Sequence, residues 1–155
     1  MQTNVINYSV DMFSKSCKYG IKAVLFIAKE SWENRRTSID IIADRTDSPK
    51  EFTNKILQRL VKTGIVKSVK GKGGGFEIEN EILRDLRLSE VVEAIDGDEL
   101  YTNCILGLME CNHEKPCPVH KQFLPIKKAI EKTLKNTLII SLLDGLKEEL
   151  TFLKI

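Results

Sequence analysis

From Ser14 to about Lys29 the residues Tyr19, Ala23, Phe26 and Ile27 recur at three- and four-residue intervals, the period of a helix with one buried face. The polar segment Trp32 to Arg36 interrupts that pattern. A second, short helix is expected from about Ser38 to Arg45, burying Ile39, Ile42 and Ala43. The third begins at Ser48-Pro49-Lys50-Glu51, which offers an N-cap serine, a proline at the first helical position and a glutamate at the capping-box position. Phe52, Ile56 and Leu60 then recur every fourth residue, and Gly64 stands where a left-handed residue closes a helix. Only a short turn around Asp47 separates the second and third helices, which predicts a helix-turn-helix. Ile65 to Lys70 is rich in β-branched residues and is followed by Gly71-Lys72-Gly73-Gly74-Gly75 and then Phe76 to Glu79, a β-hairpin with a glycine tip. A hairpin directly after the third helix is the wing of a winged helix.

Beyond it, Leu88 to Ile95 forms another helix closed by Asp96-Gly97, and residues 98–120 read as an irregular loop. A long helix is expected from about Lys121 to Lys135, with Pro125 near its first turn or kinking it, and an apolar helix starts near Thr137. Leu124, Ile126, Ile130, Leu134 and Leu138 form a stripe larger than so small a core can cover, which predicts a helix-mediated homodimer. The fold class is therefore mainly α with a small β-hairpin wing: a winged helix-turn-helix plus a long C-terminal dimerisation helix. The expected organisation is a loose leader over residues 1–11, with Met12 a candidate natural start, a winged helix-turn-helix domain over 12–97, a cysteine-containing loop over 98–120 and dimerisation helices over 121–155.

Composition narrows the class. A chain of 155 residues with 42% hydrophobic and 30% charged positions is globular, not disordered or a disulfide scaffold. The most apolar run, Leu138 to Leu143, falls far short of the roughly 18 apolar residues that a spanning helix needs, and Met1 to Asp11 has no apolar signal core. No membrane role is expected. A cytoplasmic location follows, and there Cys17, Cys104, Cys111 and Cys117 stay reduced.

The net charge of +2 conceals a segregation. Lys50, Lys55, Arg59, Lys62, Lys67, Lys70 and Lys72 face a single acid, Glu51, between positions 50 and 72. The stretch from Glu77 to Glu99 is predominantly acidic. A basic block on the third helix and hairpin is what phosphate neutralisation requires, whereas a charge run by itself usually only solvates a surface. Thr53, Asn54, Lys55, Gln58, Arg59 and Lys62 are expected opposite the buried stripe, and several of these types can read base edges in the major groove. Lys50, Thr53 and Asn54 would enter the groove first. Lys70 and Lys72 would hold flanking phosphates, and Gly73 and Gly74 would let the hairpin backbone approach the DNA.

The pattern resembles the winged-helix regulators that include the iron–sulfur cluster assembly repressor and the nitric-oxide-sensing repressor. The resemblance rests on Lys18 to Ala23, Phe52 to Gly64, Val66 to Phe76, Leu88 to Gly97, Cys117-Pro118-Val119-His120 and Thr137-Leu138, in order over about Met12 to Leu143. It implies a two-fold dimer, formed largely through the long C-terminal helix, on dyad-symmetric sites in double-stranded DNA.

Cys104, Cys111, Cys117 and His120 are spaced C-x6-C-x5-C-x2-H, and thiolates with an imidazole in one loop can wrap a soft metal centre. The resemblance implies that the three cysteines are iron–sulfur ligands and that His120 is the fourth. Two departures matter. The first interval is one residue longer than the family's, and Lys18 stands where the nitric-oxide sensor has a ligating aspartate. A [2Fe–2S] centre using His120 is favoured over an aspartate-ligated [4Fe–4S] centre, with His113 and Cys17 as other fourth ligands. Zinc, or free thiols that sense oxidants by disulfide formation, remain open, and Cys17 on an apolar helix also reads as a core residue. No enzyme is expected, because Cys117 and His120 lack an orienting third group and the glycine hairpin lacks a phosphate-loop ending. A winged-helix protein-interaction module without DNA binding is the competitor from another class.

Overall fold

The computed structural model describes residues 12–108 and 111–147, so the expected leader over 1–11 and the end of the C-terminal segment lie outside the described residues. Helix α1 (Lys15–Trp32) starts at Ser14, whose hydroxyl accepts the Cys17 N–H, and it buries Ala23, Val24, Phe26, Ile27 and Ala28. Helix α2 (Ile39–Arg45) is capped by Ser38, and Asp47 turns the chain with φ 51° into α3 (Lys50–Lys62). Strands β1 (Lys67–Val69) and β2 (Gly75–Glu77) form the antiparallel hairpin, with Lys67 opposite Glu77, Ser68 opposite Phe76 and Val69 opposite Gly75. The winged helix-turn-helix expected from the pattern is present.

The wing is anchored at its base. Thr37 forms an antiparallel bridge to Phe76, with Phe76 N–H donating to the Thr37 carbonyl at 2.8 Å and Thr37 N–H to the Phe76 carbonyl at 3.1 Å. Arg36 grips Glu77 through Nε at 2.7 Å and also donates to the Gly73 carbonyl at 3.4 Å.

After the wing come α4 (Asn80–Asp85), α5 (Leu88–Asp96) and the short α6 (Glu99–Thr102), then α7 (His120–Asn136), which contains Pro125, and α8 (Ile139–Lys147). The core lies between α1, α3 and α5, and α8 packs on α1. Ile139 and Leu143 of α8 are among its buried members. Gly20 lets α5 come close, since a Cβ there would stand 2.1 Å from the Ile95 Cδ1.

Four details differ from the sequence-based expectations. Pro49, not Ser48, occupies the N-cap of α3, and the buried Ser48 hydroxyl has no partner. The Pro49 carbonyl accepts the Thr53 N–H at 2.9 Å and begins the helix, so the cap falls one residue later than the serine. Helix α4 falls where no element was expected, because its six residues bury only Leu83 and so carry no periodic signal. Within the loop expected over 98–120, α6 adds one helical turn. Finally, the α7 stripe is divided: Leu134 is 4% exposed in the chain's own core and Ile130 packs against it, whereas Ile126 is 51% exposed.

Candidate nucleic-acid interface and cysteine segment

Helix α3 buries Thr53, Ile56, Leu57 and Leu60, the three- and four-residue repeat of a core-facing stripe. Thr53 therefore does not lie on the outward face where sequence reasoning placed it. It is 2% exposed, and its hydroxyl donates to the Pro49 carbonyl at 3.1 Å. The error came from following every fourth residue from Phe52 and overlooking Leu57, whose i−4 neighbour is Thr53.

Lys50, Asn54, Lys55, Gln58, Arg59 and Lys62 are exposed, as are Lys70, Lys72 and Gly73 on the wing; Gly74 is half-buried. Their circumstances differ. Lys50 pairs with Asp40 of α2 at 2.5 Å. Arg59 turns sideways, and its Nη1 donates to the Ile95 carbonyl at 3.0 Å. Lys67, counted in the basic block, is paired with Glu79, which raises its pKa. Sequence reasoning missed Arg36 and Glu77, although Glu77 opposite a basic wing was a visible signal for an anchoring pair.

In the cysteine segment, Cys111 Sγ and His120 Nδ1 lie 3.5 Å apart, and His120 Nε2 lies 3.1 Å from His113 Nδ1. The two imidazoles meet edge to face with centroids 4.8 Å apart. His120 is buried at the first turn of α7, and Cys104 is buried while Cys111 and Cys117 are half-buried. The Leu106 N–H holds the Cys104 pKa below its ordinary value, assisted by the Leu108 N–H, the Cys117 side chain and the Lys127 charge, and opposed by desolvation. Lys127, which sequence reasoning also missed, is 8% exposed and donates to the Asn103 carbonyl at 2.6 Å. His120, Lys127 and Leu134 are the buried residues of α7, and their seven-residue spacing was the available signal.

Three thiols and an imidazole are the donor types that a soft metal centre takes, so the chemistry of the set fits an iron–sulfur cluster. The geometry brings Cys111 to His120, and the Cys117 side chain is near enough to help lower the Cys104 pKa. Among the described residues no three His, Cys, Asp or Glu side chains are placed to hold one metal ion. Cys17 belongs to the core. It is 0% exposed, and burial, with the adjacent Asp96 carboxylate, pushes its thiol up to about 12, which disfavours the thiolate that a ligand must be. Among the described residues no helix is long and apolar enough to cross a membrane.

Comparison with known proteins agrees with this architecture. The family model for Rrf2, described as an iron-dependent transcriptional regulator, matches residues 13–145. An rrf2-like helix-turn-helix transcriptional regulator of Rhodobacter capsulatus is 32% identical over 122 residues, covering 74% of this chain and 81% of its own. The regulator IscR of Photobacterium profundum is 28% identical over 119 residues, 77% of this chain and 67% of its own. Among solved structures, CymR, the global cysteine regulator of B. subtilis, superposes with a TM-score of 0.69 at 20% identity over 85% of this chain and 95% of its own. T. potens IscR does so with 0.69 at 21% identity over 90% and 91%. These proteins are regulators, not enzymes. With a helix-turn-helix, an anchored basic wing and a family match spanning nearly its whole length, the chain belongs to the Rrf2 family of transcriptional regulators.

Proposed function

We propose that the chain is a homodimeric regulator that docks α3 in the major groove of double-stranded DNA and senses iron–sulfur or redox status through its cysteine segment. The carrying observation is the outward face of α3 and the wing, which presents Lys50, Asn54, Lys55, Gln58, Lys62, Lys70 and Lys72 on positions the core does not use. Lysines supply phosphate contacts, and Asn54 and Gln58 match the donor–acceptor pair on an adenine edge. A second copy seated on α7 covers the exposed Ile126 and the half-buried Leu124 and Leu138, placing two reading heads on a dyad-symmetric site.

Cys104, Cys111, Cys117 and His120 would hold a [2Fe–2S] cluster, which when bound supplies a one-electron centre sensitive to oxidants. The family description and the IscR relatives support this reading. Direct thiol sensing is the second reading, favoured by the lowered pKa of Cys104, to which the Cys117 side chain contributes, and by the CymR-like fold.

Two measurements test these readings. Affinity for duplex DNA should fall steeply between about 50 and 200 mM salt; a flat response overturns DNA binding. Protein prepared without oxygen should absorb visible light and contain iron and sulfide in stoichiometric amounts, both lost in Cys104→Ala. Colourless, iron-free protein whose DNA affinity still changes on oxidation would leave thiol sensing in place of the cluster.

A further inference from the structure

Whereas Lys50 pairs with the exposed carboxylate of Asp40, Arg59 takes a backbone carbonyl of a packed helix as its partner. Residue 59 lies three positions after the buried Ile56, on the flank of the helix that faces α5. Its guanidinium donates to the carbonyl of Ile95, in the last turn of α5. The last carbonyls of a helix have no partner within it and carry the negative end of its dipole, so a cationic donor is the natural cap. Such charge-assisted bonds are roughly twice as strong as neutral ones.

That end of α5 is fixed from two other directions. The Ile95 side chain packs over Gly20 of α1. The Asp96 carboxylate accepts the Ser14 N–H at 3.0 Å and the Ser14 hydroxyl at 2.5 Å, holding the start of α1. Directly beyond, Gly97 turns the chain with φ 76° into α6 and on to Cys104. Arg59 thus ties the recognition helix to the point from which the cysteine segment departs.

We propose that Arg59 is a positioning residue: it sets the pitch of α3 in the groove through the Ile95 carbonyl and makes no phosphate contact. The proposal rests on the DNA-binding reading above. It concerns how well a correct sequence is distinguished from a wrong one, because a tilted helix keeps its phosphate contacts but loses the alignment of Asn54 and Gln58 with base edges.

The test uses the full chain and two duplexes: the sequence most enriched by the wild type from a randomised 30-base-pair pool, and a scrambled duplex of equal composition. In Arg59→Gln, preference for the enriched over the scrambled duplex should fall about tenfold, the equivalent of one charged hydrogen bond. The dependence of log affinity on log salt should keep the wild-type slope. Arg59→Lys, which retains a cationic donor of similar reach, should restore most of the preference. A slope smaller by about 0.9 per protomer, with equal loss on both duplexes, overturns the proposal, because that is the signature of a lost phosphate contact. In the wild type, the Arg59 Nη–H resonances should be resolved by hindered rotation without DNA and stay in place when DNA is added. Resonances that sharpen only with DNA also overturn it. If the wild type enriches no sequence and its binding ignores salt, the DNA-binding reading fails and takes this proposal with it.

Discussion

Gly75→Ala should detach the wing from the body of the protein. Gly75 has φ 142°, and a Cβ there would stand 2.7 Å from the Thr37 carbonyl oxygen and 3.1 Å from its carbon. A backbone oxygen cannot swing aside as the end of a flexible side chain does, so the Thr37–Phe76 bridge has to open. Opening it costs the two hydrogen bonds of 2.8 and 3.1 Å. At about 1 kcal/mol each, with about another 1 kcal/mol for the backbone angle, the loss is about 3 kcal/mol. For a chain of this size that lowers the thermal midpoint by roughly 6–12 °C. Gly71→Ala is the control, because its φ is 90° but nothing lies within 4 Å of the new Cβ, leaving only the backbone cost. Thermal unfolding followed by circular dichroism compares the two. Equal midpoints for both variants would refute the reasoning, since the bridge would then contribute nothing.

Other expectations follow from residues already placed. Lys72→Ala should weaken binding to all duplexes alike and reduce the salt slope by about 0.9 per protomer, read from fluorescence anisotropy across a salt series. Cys17 is protonated to about 12 in the folded chain, against 9.0 ordinarily, so its contribution to stability is fully present below pH 9 and fades as the pH climbs towards 12. Denaturant titrations should therefore show a shallower alkaline loss in Cys17→Ala, and native Cys17 should react with iodoacetamide more slowly than Cys111 or Cys117. Lys127→Met should release the Asn103 carbonyl, seen as faster amide hydrogen exchange over residues 99–108 with little change in α3.

The helix-turn-helix and wing were legible because each bears a periodic signal: Phe26 and Ile27 on α1, Ile56 and Leu60 on α3, and glycines at a hairpin tip. What periodicity could not convey was the direction of individual side chains. Thr53 has a polar label on a buried position, and its hydroxyl is satisfied by a carbonyl one turn back. Arg59 has the label of a phosphate contact but finds a helix end, a partner 36 residues away that no local pattern announces. Short elements escaped for a related reason. Helix α4 buries one leucine, and one residue has no period. The cysteine and histidine spacing was legible in the sequence, whereas the contacts of His120 with His113 and of Lys127 with the Asn103 carbonyl join α7 to residues that no local pattern pairs with it.

The chain returns to its first half at the end. Leu88 N–H donates to the Thr137 carbonyl at 2.8 Å and Ile139 N–H to the Leu86 carbonyl at 2.9 Å, stitching the entry of α8 to the junction of α4 and α5. Ile139 and Leu143 then complete the core around α1, against which α3 and α5 also pack. The packing of α8 onto α1 therefore completes the body that carries α3 and the wing only after those elements have been synthesised. A nascent or prematurely terminated chain has the basic residues but lacks the packing that aims them. Such fragments should not occupy promoter sites in competition with the complete regulator, so a nonsense mutation late in the gene should behave as a simple loss of function and not as a dominant interfering allele.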